Sequence, residues 1–195
     1  MKLAVWGGVD FNTLEPAPVR YWVTTQGVFR CQTTPIGSFR LPWPADPPTD
    51  IVPDPRPLVP EVALAVPRIP ATILRRITAM FQALAPAEHL FHVYWHSRSG
   101  LWEIENPPQQ TTASTVSCTI DRDPYHADRP RVLQIHSHGH FPAIFSATDD
   151  ADELACGLYA VMGAFDQPHP TLAVRAGMAG QFLPLDPLQV FEEVP

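Results

Sequence analysis

Proline governs what this chain can fold into. The 195-residue sequence holds 24 prolines, and ten of them fall within residues 42–70. Each fixes φ at about −65° and removes a backbone N–H, so no helix or central strand survives that density. Residues 42–70 are therefore expected to form an extended connector, laid on the surface by Trp43, Ile51, Leu58, Val62 and Leu64. Those apolar anchors argue against a disordered linker.

The connector separates residues 1–41 from residues 71–195. The first part reads as a small β appendage. Val19–Thr24 and Val28–Thr33 are strand-like runs around Thr25-Gln26-Gly27, with glycine at the turn, and Phe39–Leu41 extends the sheet. In the second part, Ile73, Leu74, Ile77, Met80, Phe81 and Leu84 recur at helical spacing, which predicts a helix over Ala71–Leu84. Pro70 precedes it, Pro86 stops it, and Thr72 stands near its N-cap. Strands are expected at Glu88–Trp95, Leu101–Glu105, Thr112–Ile120 and Arg131–Ile135. A short helix follows over Asp150–Cys156, then strands at Leu158–Phe165, Thr171–Val174 and Gln181–Leu185. The order implies a sheet flanked by helices, α/β or α+β in class.

Composition excludes several functions. The net charge of −7 and the pI near 5.5 argue against nucleic-acid binding by phosphate neutralisation. The three cysteines, Cys31, Cys118 and Cys156, are scattered without a CxxC, so neither a disulfide framework nor a thiolate zinc site is expected. Reduced cysteines fit a cytoplasmic protein. The first residues lack the pattern of a signal peptide, and no apolar run approaches the roughly 18 residues of a membrane span.

The chemistry concentrates in His136-Ser137-His138, followed after seven residues by Ser146 and after two more by Asp149. Histidines at i and i+2 of a strand share a face. Two imidazoles and a carboxylate, with a position left for water, are the ligand set of a catalytic zinc. Water held there has its pKa lowered towards about 7. Ser-x-x-Asp is also a capping box at a helix N-terminus, and the two roles are compatible, because a capped turn is a rigid support for a ligand. His140 is either a fourth ligand or a residue that supports the pair from the cleft, and the cleft role is the one expected of it. His92 and His96 share a strand face with no third partner and read as surface or packing residues. Asp150, Asp152 and Glu153 compensate the dipole of the short helix.

The motif resembles the JAMM signature of the JAB/MPN metalloproteases, H-[ST]-H-x7-S-x-x-D, at every defined position. Gly139 stands where many members have proline, which loosens the turn and removes no ligand. The resemblance implies a mixed sheet of cytidine-deaminase type flanked by helices. It implies Zn2+ on His136, His138 and Asp149, and Ser146 supporting the tetrahedral intermediate. The family's upstream glutamate, the general base, maps to Glu88, which follows the first helix; Glu103 and Glu105 on the next strand are its rivals. The implied activity is that of a peptidase or isopeptidase, often on ubiquitin-like proteins. Gln26–Phe29, Glu88–Trp95 and the extended site through Glu153 are similar to the PRTRC system protein A group of bacterial proteins. Its gene cassettes also encode ThiF-related proteins. That association implies a ubiquitin-like or sulfur-carrier substrate and a ThiF-like activating enzyme as partner, while charge and hydropathy leave no nucleic acid and no membrane among the expected partners. A non-catalytic, metal-containing binding module of the same fold is the alternative. A small-molecule zinc hydrolase built as an amidohydrolase barrel would need a longer chain with more βα units.

Overall fold

A computed structural model of the chain describes residues 19–118 and 124–195. It is an α+β structure, mostly sheet. β1 (Val19–Thr24), β2 (Gly27–Thr34), β3 (Gly37–Trp43) and β4 (Glu61–Leu64) form one antiparallel sheet in that order. Helix α1 (Ala71–Leu84) leads to β5 (Leu90–His96), β6 (Leu101–Glu105), the short β7 (Gln109–Thr111) and β8 (Val116–Cys118), and β9 (Arg131–Ser137). Helix α2 (Ala147–Asp152), β10 (Gly157–Gly163), β11 (Thr171–Met178) and β12 (Gln181–Leu185) complete the chain, with a 3-10 turn at Pro187–Gln189. A six-stranded sheet has the order β12-β11-β10-β9-β5-β6, while β7 and β8 pair alone. No helix among the described residues is long and apolar enough to cross a membrane.

Most strands lie where the hydrophobic pattern puts them, and the differences have local causes. The strand expected at Thr112–Ile120 is interrupted by a turn. Thr112 and Thr115 join their hydroxyls at 2.8 Å, and Ser114 N–H donates to Thr112 Oγ1 at 3.2 Å. Threonine and serine used this way compete with the sheet ladder. Only Val116–Cys118 remains as strand, and residues 119–120 lie outside the described ones, as do residues 1–18 of the expected β appendage. The helix expected at Asp150–Cys156 starts earlier, at Ala147, so Asp149 lies inside its first turn. Helix α1 has the expected span, but Thr72 does not cap it. Pro70 is the N-cap, and Glu192 Oε2 accepts the Ala71 N–H at 3.3 Å.

The proline-rich segment runs extended across one face of the first sheet. Asp54 N–H donates to Val23 O at 2.9 Å, and Leu58 packs on the buried Trp22, Phe29 and Cys31. Pro42 and Trp43 end β3, past the part of it that pairs with β4, and the strand that lies wholly within the segment, β4, is free of proline and lies at the sheet edge. Residues 19–41, the described part of the expected appendage, contribute to the main core. Ile36, Phe39 and Leu41 belong to the same buried cluster as Leu74, Ile77 and Phe81 of α1 and Leu133 and Ile135 of β9. That cluster also takes in Phe91 and Val93 of β5 and Ala160 and Met162 of β10. Residues alternate faces along a strand, so α1 covers one face of the large sheet and His136 points from the other.

Only the β9–β10 pair is parallel among the described strands of this sheet. Parallel neighbours cannot be joined by a tight turn. The chain leaving β9 must travel back before β10 begins, and residues 138–156 make that crossover. It brings Asp149 back towards the end of the strand that carries His136.

Candidate metal centre

The two histidines converge. His136 is the penultimate residue of β9, and His138 lies just past the strand end, fixed by its N–H donating to Met162 O at 2.8 Å. Their Nε2 atoms are 3.0 Å apart. Asp149 Oδ1 lies 3.2 Å from His136 Nε2, and Asp149 Oδ2 lies 3.8 Å from His138 Nε2. Ligand bonds of about 2.0–2.1 Å in a tetrahedron put donor atoms roughly 3.3–3.4 Å apart. The three observed separations bracket that edge, so the donor set fits a small divalent ion; all the ligating atoms lie within 4.8 Å of one another. His136 is buried, and burial pulls its imidazole well below its ordinary pKa, opposed by Asp149 and reinforced by His138 and Arg175. Burial thus favours the neutral imidazole, the form whose free ring nitrogen offers a lone pair to a metal.

Ser146 caps helix α2, as the Ser-x-x-Asp spacing predicts. Its hydroxyl accepts the Asp149 N–H at 3.2 Å and donates to Asp149 Oδ2 at 2.8 Å, while its own N–H reaches the same carboxylate oxygen at 2.6 Å. This is a complete capping box. The cap and the ligand are one construction: the bonds that start α2 also fix the Asp149 carboxylate.

Glu88 is brought to this cluster. It is 7% exposed, and its N–H donates to Thr112 O at 2.8 Å. Leu90 pairs with His136, so two residues further along the same register put Glu88 opposite His138. Burial raises its carboxyl above the usual range; His138 lowers it and Asp149 raises it again. The rivals stand otherwise. Glu103 accepts two bonds of 2.9 Å from Arg129 and one of 2.5 Å from His96. Arg129 holds its carboxyl down at about 2, against burial. Glu105 is paired to Arg129 at 2.6 Å. Glu103, held ionised by that guanidinium, is a poor proton acceptor.

Other expectations resolve geometrically. His140 is exposed in a turn and is not among the converging ligands, because β9 ends at Ser137 and Gly139 turns the chain. That glycine does not loosen the turn. It has φ +54°, and a Cβ there would lie 2.4 Å from Pro86 O, so glycine is what lets the two segments approach. His92, expected at the surface or in packing, is buried, with Tyr94 Oη 3.5 Å from its Nδ1 and Arg131 3.4 Å from its Nε2. Burial pushes the thiols of Cys31 and Cys156 up to about 12, which leaves both inert as nucleophiles.

Two functional supports lie beyond the motif reading. Ser137, between the ligands, is buried; its Oγ accepts the His89 N–H at 3.0 Å and its N–H donates to His89 O at 2.8 Å. It ties the ligand strand to the residue after Glu88. Arg175 on β11 reaches the α2 segment, and its signal in the sequence is a lone charge in an otherwise apolar run, TLAVRAGM. The strand expected there ends at Val174, one residue short of it. Neither a scan against protein-family models nor a search of curated proteins finds a match for this chain.

Proposed function

We propose that this chain is a zinc-dependent peptidase or isopeptidase of the JAB/MPN type. The observation that carries the reading is the convergence of two imidazole nitrogens and a carboxylate beside a buried glutamate. A mixed sheet with one parallel pair, a helix on the opposite face and the site at the end of β9 is compatible with the fold that the resemblance implies. His136, His138 and Asp149 would hold the ion, which would polarise a scissile carbonyl and lower the pKa of water at its open position.

The chain's own residues do the rest. Glu88, with its carboxyl raised by burial, takes a proton from the attacking water and returns it to the leaving amine. Ser146 offers its hydroxyl to the developing oxyanion. That hydroxyl now donates to Asp149 Oδ2, so the donation requires it to rotate. The substrate class we favour is the C-terminal tail of a ubiquitin-like or sulfur-carrier protein, bound extended along a strand edge, with a ThiF-like activating enzyme as partner. The resemblance supports this choice.

The test is zinc content and cleavage of a panel of ubiquitin-like and carrier-protein fusions. Glu88→Gln should keep zinc and lose turnover by about 10²–10⁴-fold. His138→Ala should lose zinc. Unchanged zinc in His138→Ala would overturn the metal assignment, and zinc binding with no cleavage of any fusion would overturn the enzyme.

A further inference from the structure

Helix α2 carries Asp149 but has nothing of its own to hold it in place. It spans six residues, none of them buried. A helix this short is unstable alone, and without an apolar face it gains no anchorage from the core. Its position must come from polar contacts, and Arg175 makes them. Its Cζ lies 3.8 Å from the Phe145 ring centroid and 3.7 Å from that of Phe182. Its Nε donates to Glu153 Oε2 at 2.8 Å, its Nη2 lies 2.7 Å from the same oxygen, and its Nη1 donates to Asp150 Oδ1 at 2.5 Å.

The placement of these partners matters. Phe145 directly precedes Ser146, Asp150 directly follows Asp149, and Glu153 is the C-cap of α2. Phe145 also meets His136 edge-on, with centroids 6.3 Å apart. Arg175 grips the segment on both sides of the third ligand. It stands on β11 opposite Tyr159 of β10, on the His136 face of the sheet.

We propose that Arg175 is the positioning residue of the metal centre, clamping the Phe145–Glu153 arm so that Asp149 meets the two histidines. The role rests on the reading of His136, His138 and Asp149 as metal ligands. It needs arginine rather than lysine, because contact with two rings and a forked edge on two carboxylates call for a planar cation. Glu153 is buried as deeply as Arg175, and burial raises its carboxyl while Arg175 opposes that rise; the pair is thus closed to solvent.

The test compares Arg175→Lys and Arg175→Ala with Arg129→Ala in the full chain. Arg129 lies 3.6 Å from the Tyr94 ring centroid and pairs with Glu103 and Glu105, so it controls for loss of a stacked, paired guanidinium elsewhere. Zinc affinity is read by competition with a chromophoric chelator, and the site's geometry by the visible spectrum of added Co2+. Arg175→Lys should weaken zinc by about 10–100-fold and alter the Co2+ bands. Arg129→Ala should lower the melting temperature and leave both unchanged. In metal-free protein, amide exchange over residues 145–153 should rise in Arg175→Lys alone. If Arg175→Ala does not fold, Asp150→Asn at the half-exposed end of the clamp replaces it, with the same direction expected. Wild-type affinity, spectrum and exchange in Arg175→Lys would overturn the proposal while leaving the metal centre standing. A wild-type protein that takes up no zinc would overturn the metal reading and this role with it.

Discussion

Gly139→Ala tests the geometry that joins the ligand strand to the base. Alanine at φ +54° sits in the left-handed region, which costs about 1–2 kcal/mol for a residue with a Cβ. The new methyl would also lie 2.4 Å from Pro86 O and 3.1 Å from Pro86 C. Those are backbone atoms and cannot swing away, so overpacking adds about 1–3 kcal/mol. Together the loss is about 2–5 kcal/mol, or roughly 4–20 °C in melting temperature for a chain of this size. Relief would come by displacing Pro86, two residues before Glu88, so turnover should fall with stability. Gly157→Ala is the matched control, since a Cβ there meets nothing within 4 Å. It should stay within about 0.5 kcal/mol of wild type. Proline at 139, the residue of many JAB/MPN members, should be worse than alanine, because its ring fixes φ at about −65°. Thermal and urea unfolding of the three variants would decide. If Gly139→Ala melted with Gly157→Ala, the close approach to Pro86 would be wrong.

Ser137→Ala removes the acceptor of the half-buried His89 N–H and should cost about 0.5–1.5 kcal/mol, read from urea midpoints; a neutral result would mean that Ser137 does not tie the two strands. Ser146→Ala removes the N-cap acceptor, for about 1 kcal/mol of stability, and should lower turnover by about 10²–10³-fold, with a loss of stability alone limiting Ser146 to capping. Glu103, held down at about 2 by Arg129, contributes stability that is present above about pH 4.5 and lost as pH falls towards 2. Because its side chain is 39% exposed, the amount is at most about 1 kcal/mol. Glu103→Gln should flatten that acid limb in urea unfolding measured from pH 5 to 2, and an unchanged limb would show that the ion pair contributes nothing.

What the sequence determined by itself is local. The apolar spacing of Ile73, Leu74, Ile77 and Phe81 specifies α1, because residues three and four apart share a helix face. His136 and His138 share a face through the two-residue strand period, and Ser146 and Asp149 meet within one helical turn, so the capping box is legible without a fold. The tertiary structure decided what depends on which strands are neighbours. Three glutamates stand between α1 and β9 in sequence, and only the order β9-β5-β6 sets Glu88 beside His138 and leaves Glu103 and Glu105 with Arg129. The parallel β9–β10 pair, which forces a crossover, carries Asp149 back to the histidines. Arg175 reaches α2 from 22 residues beyond Glu153, and Gly139 meets Pro86 across the turn, contacts that no periodicity encodes. Spacing along the chain fixes which side chains share a face, whereas strand order and crossover fix which faces meet, and the metal centre needs both.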